Sequence, residues 1–321
     1  MDTPFKILFT QFDQGTANTN RWVTASKKYF QTFVPADQIL NHFSENITIV
    51  LHGSTARNVD DEHSDLDYWL VLDDDEYEKF RSITEQSFIP IEIDGKEGHI
   101  NPLSIRQIEK CFDNEIEMWL INEISTSIVI VDNKNVFPKY IELARQPLSD
   151  SVRYAFFFYN YCMMRGYHRS CDNPMERGDE FAVLVSLMQT LQYAFQAAFV
   201  LDRVAYPYEK WLYLQAYFFE TPKSLIEHVD NIIDEIKNNS ISLFGPEKEN
   251  RISQELRVIR AKLVDKAKQV GINELWLEKW WRYIDRSREI ICKVRWIDNI
   301  LIENGECARG TSAFGMIKIV N

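Results

Sequence analysis

A chain of 321 residues is long enough for two domains and a sizeable buried core. Its 45% hydrophobic and 26% charged residues exclude an intrinsically disordered chain. A formal net charge of −12 argues against a broad nucleic-acid surface, because phosphate binding draws on Lys and Arg, and it suits a small cationic partner.

Five scattered cysteines, none in a Cys-x-x-Cys pair, predict reduced thiols in a cytoplasmic protein rather than a zinc site or a disulfide framework. Met1 to Gln11 lacks the basic-then-apolar layout of a signal peptide. No stretch approaches the roughly 18 uninterrupted apolar residues of a membrane span.

In chain order, the Gly15-Thr16-Ala17-Asn18 stretch reads as loop, and Arg21 to Phe33 places Trp22, Ala25, Tyr29 and Phe33 near helical spacing. Pro35 interrupts, and Ala36 to Phe43 is a second short helix leading into a strand at Ile47. A second strand follows, from Asp65 to Leu72. Acidic residues at 73–76 cap a helix over 75–84, where they suit its dipole. Residues 88–94 alternate as a strand, Asp94-Gly95 signals a turn, and 98–105 return as another strand. A helix over 104–120 and a short strand over 127–131 complete the N-terminal part.

From Asp150 onward strand signals nearly vanish. Glu180 to Leu201 carries Phe181, Leu184, Val185, Met188, Leu191, Phe195 and Phe199 at helical spacing, which is the mark of packed core. Further helices are predicted at about 208–218, 222–238, 250–269 and 273–300, with breaks at Gly245-Pro246 and Gly271 and an irregular or strand-like tail over 305–321. The fold class is thus α/β: a small mixed sheet with flanking helices over 1–145, then a helical bundle over 146–321.

The chemistry concentrates in residues 49–73. An apolar strand meets Gly53-Ser54, a polar loop follows, and Asp65-Leu66-Asp67 opens the second strand. Strand side chains alternate, so Asp65 and Asp67 point one way and Leu66 and Tyr68 the other. Paired carboxylates repel unless a cation sits between them, and Mg²⁺ takes one or two carboxylates plus phosphate oxygens. Gly53 permits close backbone approach, and its neighbouring N–H groups with the Ser54 hydroxyl suit phosphate.

Gly53-Ser54 followed about a dozen residues later by Asp65-x-Asp67, between apolar strands, resembles the signature of the DNA polymerase β-like nucleotidyltransferase superfamily. The resemblance implies that Asp65 and Asp67 bind one or two Mg²⁺ ions holding a triphosphate, and that Gly53 and Ser54 contact phosphate. Arg57 and Ser64 lie in the loop, where a phosphate contact and a plain loop role are equal readings. A third carboxylate on a later strand usually completes such a site, and the return strand instead reads Gly98-His99-Ile100-Asn101. Glu92, Glu97 and His99 are the residues that could act as base or third ligand. Glu92 is favoured, because Ile89, Ile91 and Ile93 form a continuous apolar face opposite it, and only one strand's polar group is expected to face the aspartates.

Tyr206-Pro207-Tyr208-Glu209-Lys210-Trp211-Leu212 resembles a stretch in the helical domain of bacterial aminoglycoside adenylyltransferase-like proteins. There a lysine can reach the triphosphate from the helical domain across a cleft, which would be Lys210 here. Together these resemblances imply transfer of AMP from ATP to a hydroxyl of a small, aminoglycoside-like molecule; no membrane partner is expected, and the acidic charge disfavours nucleic acid without excluding it. Two alternatives stay open: a toxin-type transferase acting on RNA or protein, and a nucleotide-binding protein whose catalysis is impaired by the missing third acid.

Overall fold

The computed structural model describes residues 4–113, 116–238 and 250–294. The chain divides into two compact units: Met1–Cys111 with Leu120–Gln146, and Phe112–Trp119 with the residues from Pro147 on.

The first unit is built on five strands: β1 (Thr48–His52), β2 (Leu66–Leu72), β3 (Ile89–Ile93), β4 (Lys96–Ser104) and β5 (Ile128–Asp132). Their order across the sheet is β3-β4-β2-β1-β5. The β2–β4 pair is parallel, and the pairs β1–β2, β1–β5 and β3–β4 are antiparallel, so the sheet is mixed as expected. Parallel neighbours need a crossover. Here helix α3 (Asp74–Ile83) and edge strand β3 lie between β2 and β4 in sequence. A reciprocal capping box starts α3: the Asp73 side chain accepts from the Glu76 N–H, and Glu76 accepts from the Asp73 N–H.

One face of the sheet is largely apolar. Leu66, Tyr68, Leu70 and Leu72 of β2 are buried with Ile49 and Leu51 of β1, Ile100 of β4 and all three isoleucines of β3. Helix α1 (Pro4–Ala36) packs there. Phe30, 1% exposed, sets its ring edge against Tyr68 with centroids 5.0 Å apart. Burying a tyrosine demands a partner for its hydroxyl, and the Tyr68 Oη lies 2.5 Å from the Ser26 Oγ of the same helix. On the opposite face, Trp69 is buried between His52, stacked at 4.1 Å, and Phe137. That cover stops short of the start of β2, which leaves the face open at Asp65 and Asp67.

Some boundaries differ from the sequence reading. Helix α1 runs unbroken through Gly15–Asn18, read as loop, and retains Pro35 in its last turn. The helix expected over 104–120 is two: α4 (Ile105–Phe112) and α5 (Met118–Thr126).

In the second unit, α7 (Asp150–Ser170) and α9 (Glu180–Leu201) form the central pair, each started by a side-chain cap, Ser149 and Asp179. Helices α12 (Ile226–Asn238), α13 (Arg251–Gln269) and α14 (Ile284–Ile291) follow. The stretch expected as one helix over 273–300 is two short 3-10 turns and α14 as far as it is described. The Gly245-Pro246 break and the 305–321 tail lie outside the described residues. Among the described residues α9 alone is long and apolar enough to cross a membrane, and 61% of its most apolar window is buried inside the fold. Cys111, Cys162 and Cys171 are buried free thiols, and burial pushes Cys162 and Cys171 up to about 12.

Because Phe30 joins α1 to the sheet through Tyr68, Phe30→Ala should destabilise the first unit by about 3–5 kcal/mol. A urea denaturation curve checks this, and an unshifted midpoint would show that α1 is dispensable to the core.

Candidate functional site

Register brings the polar residues together. Asp67 pairs with His52 of β1 on one side and His99 of β4 on the other. Residues directly opposite across a ladder share a face, so the three side chains form one row. The His99 Nε2 lies 2.8 Å from Asp67 Oδ1, and its Nδ1 lies 3.5 Å from Asp65 Oδ2. Donor atoms of Asp65, Asp67 and His99 all fall within 4.8 Å of one another, close enough to hold a metal ion. Asp65 is the most open of the three, its side chain 53% exposed against 20% for Asp67. Burial pushes the Asp67 carboxyl up, the Asp65 and Glu123 charges push the same way, and His52 and His99 oppose them.

Gly53 shapes this site differently from the sequence expectation. Its φ is +75°, the left-handed region, and a Cβ there would stand 2.2 Å from Asp67 Oδ2. The close approach that glycine permits is therefore that of the Asp67 carboxylate. The Gly53 N–H is also committed, donating to Glu123 Oε1 at 2.7 Å. Ser54 is buried at the start of the one-turn helix α2 (Gly53–Ala56).

Glu123, on α5, is the functional residue that the sequence reading missed. Besides Gly53, it takes both terminal nitrogens of Arg57, at 2.6 and 3.0 Å, and lies 3.3 Å from His52 Nδ1. Arg57 also donates to Asn122 Oδ1 at 3.0 Å. The Arg57 side chain is 3% exposed, with its charge engaged by α5. The available signal was the polar pair Asn122-Glu123 inside the apolar run Met118 to Ile124. Burial alone would raise the Glu123 carboxyl. The His52 hydrogen bond and the Arg57 and His52 charges outweigh it and bring it down from 4.5 to about 2.

Ser64 exchanges hydrogen bonds with Asp61: its Oγ donates to the carboxylate at 2.8 Å and accepts from the Asp61 N–H at 3.0 Å. It closes the loop on itself, the plain alternative to a phosphate contact. Glu92 and His99 are placed differently. Cross-strand pairing of Glu92 with Glu97, and of Pro90 with His99, puts both strands' polar groups on the face of Asp67, so they are not exclusive. What differs is distance. Glu92 sits exposed on the edge strand, with β4 between it and β2, whereas His99 touches both aspartates. Lys210 belongs to the second unit, exposed on the 3-10 turn Glu209–Trp211 with its ammonium 5.2 Å from the Trp211 ring.

Beside Asp65 opens a cavity of about 1,020 Å³, lined by the 60–65 loop, the 94–97 turn, Arg21 and Trp22. Six of its side chains are carboxylates: Asp60, Asp61, Glu62, Asp65, Asp94 and Glu97. Arg21 and Lys96 are the basic residues against them, and Lys96 is engaged with buried Asp60 at 3.6 Å.

Residues 36–126, which carry β1, α2, β2, β3, β4 and Glu123, match the family described as nucleotidyltransferase domain. A solved structure of a nucleotidyltransferase-like protein from Exiguobacterium sibiricum 255-15 is similar at 9% identity and a TM-score of 0.41, covering 77% of this chain and 75% of that chain. No curated protein matches the chain.

A Glu123 carboxyl held at about 2 rather than 4.5 corresponds to about 3 kcal/mol of stability. A lowered carboxyl contributes in full above its unfolded value and loses that contribution as pH falls through the folded one. Glu123→Gln should therefore cost about 3 kcal/mol near neutral pH, with the deficit shrinking from about pH 4.5 down to about 2. Denaturation midpoints of both proteins across that range test it; a deficit independent of pH would mean that Glu123 stabilises by packing rather than charge.

Proposed function

Residues 36–126 being a nucleotidyltransferase domain, we propose that this chain transfers a nucleoside monophosphate, AMP from ATP, to a hydroxyl of a small cationic, aminoglycoside-like molecule. The observation that carries the reading is the convergence of Asp65, Asp67 and His99 at the open end of the sheet. ATP as donor goes with the cytoplasmic setting expected from the sequence.

A divalent cation fits these residues. Two carboxylates and an imidazole could supply three of the ion's ligands, and the Gly53 turn leaves room for Asp67 that any side chain would remove. Bound there, the cation would neutralise triphosphate oxygens and stabilise the departing pyrophosphate. The protein's own contribution is positioning. Asp67 is confined between the Gly53 backbone and the His99 ring. Glu123 fixes the Gly53 turn from behind and keeps the Arg57 charge away from the nucleotide side. Asp65, more exposed, is left free to meet the ligand.

The acceptor side is read from charge. A cavity lined by six carboxylates attracts an amine-bearing molecule and repels a polyanion, which favours a small cationic acceptor over RNA. Binding of nucleotide without transfer is the second reading, motivated by His99 standing where a third carboxylate is usual.

Pyrophosphate release, with ATP and a divalent cation against a panel of hydroxyl-bearing amines, separates these readings. Asp67→Asn and His99→Ala should each lower release at least tenfold, while Glu92→Gln keeps most of it. Loss in Glu92→Gln with His99→Ala intact would return the third position to Glu92, and full release in Asp67→Asn would refute the site.

A further inference from the structure

One carboxylate of the acidic cavity differs from the other five. Asp61, Glu62, Asp65, Asp94 and Glu97 are exposed, and water answers their charge. The Asp60 side chain is 1% exposed. A carboxylate taken out of water is costly unless a cation and hydrogen-bond donors replace the solvent. At Asp60 that replacement is half complete. The Lys96 ammonium lies 3.6 Å from Oδ2, longer than a hydrogen bond, and among the described residues Oδ1 has no hydrogen-bond partner. Burial pushes the Asp60 carboxyl up, and the Lys96 charge opposes this without cancelling it.

Trp22 of α1, on the wall of the same cavity, says which kind of cation belongs there. The Lys96 ammonium lies over its ring, 5.0 Å from the centroid, and the Arg21 guanidinium lies 4.7 Å from it. An indole face attracts organic cations and offers a metal ion no donor atom. Asp60 and Trp22 thus frame a seat for an ammonium, and Lys96 shows that seat in use. Lys96 enters it from the first position of β4, directly after the Asp94-Gly95 turn. Its flexible four-carbon stem lets the ammonium swing out while the strand stays in place.

We propose that Asp60 is the residue that recognises an ammonium group of the acceptor, against the Trp22 face, and that Lys96 is the tethered cation which the acceptor displaces; this rests on the cationic-acceptor reading above. The cavity extends to Asp65, so an acceptor anchored at Asp60 lies beside the groups that hold the nucleotide. Asp60 thereby selects amines over neutral sugars, and Lys96 competes with every amine that enters.

The test is calorimetric titration of the full chain without nucleotide, with kanamycin as the probe and its fully N-acetylated form as the neutral control. Wild-type protein should bind kanamycin about tenfold or more tighter than the acetylated form. Asp60→Asn should weaken kanamycin binding about tenfold and leave the acetylated form unaffected. Lys96→Met should do the reverse and tighten kanamycin binding about threefold, because a competing cation has gone. A merely structural Asp60–Lys96 pair gives no such gain. Circular dichroism checks that each variant is folded, and Lys96→Met decides alone should Asp60→Asn not fold. Kanamycin affinity unchanged in Asp60→Asn, or not raised in Lys96→Met, would overturn this inference and leave the cationic-acceptor reading standing on the other carboxylates. Equal affinity of the wild type for the two forms would overturn both.

Discussion

Glu123 accepts the Gly53 N–H and both terminal nitrogens of Arg57 while lying beside the His52 imidazole, which pairs with Asp67 across the β1–β2 ladder. The left-handed φ of Gly53 is one glycine adopts without steric cost, and the Glu123 hydrogen bond ties that turn to α5. A buried ion pair of this kind adds little net stability over an apolar alternative, but removal of one partner leaves an unpaired charge and is expensive. Its use here is geometric. Anchoring Gly53 fixes the floor on which Asp67 rests, and Asp67 in turn fixes His99 through a 2.8 Å contact.

The electrostatics follow from the same arrangement. Asp65, Asp67 and Glu123 bring three carboxylates to one end of the sheet, and His52, His99 and Arg57 are set among them. Arg57 neutralises the innermost acid, which lets Glu123 stay ionised at low pH. The outer pair has only imidazoles nearby, and burial raises Asp67. The inner carboxylate is thus a finished structural pair, and the outer two retain capacity for a cation. That division separates the support of the site from its working face.

Much of this was legible in the chain. Apolar runs on both sides of the Gly53–Ser64 stretch gave the first two strands, and spacing of two put Asp65 and Asp67 on one face. The choice between Glu92 and His99 was not legible, because alternation says which residues of one strand share a face but not which strands are neighbours. Pairing β2 with β4 in parallel moved His99 against Asp67 and left Glu92 at the edge. Arg57 misled for a related reason. A loop arginine looks solvent-facing until a helix about 65 residues later supplies its acid, as Asn122 and Glu123 do. The break between α4 and α5 was hidden as well, since the apolar periodicity across 104–120 carries no glycine or proline after Pro102.

The central claim is that a triphosphate held at Asp65, Asp67 and His99 is cut between its α and β phosphorus atoms. ATP labelled with ³²P at the α position in one reaction and at the γ position in another, with Mg²⁺ and an aminoglycoside-type acceptor, tests it directly. The account predicts that the α label moves to the acceptor while the γ label leaves as pyrophosphate. Transfer of the γ label to the acceptor, or its release as orthophosphate with the α label left on nucleotide, would contradict it.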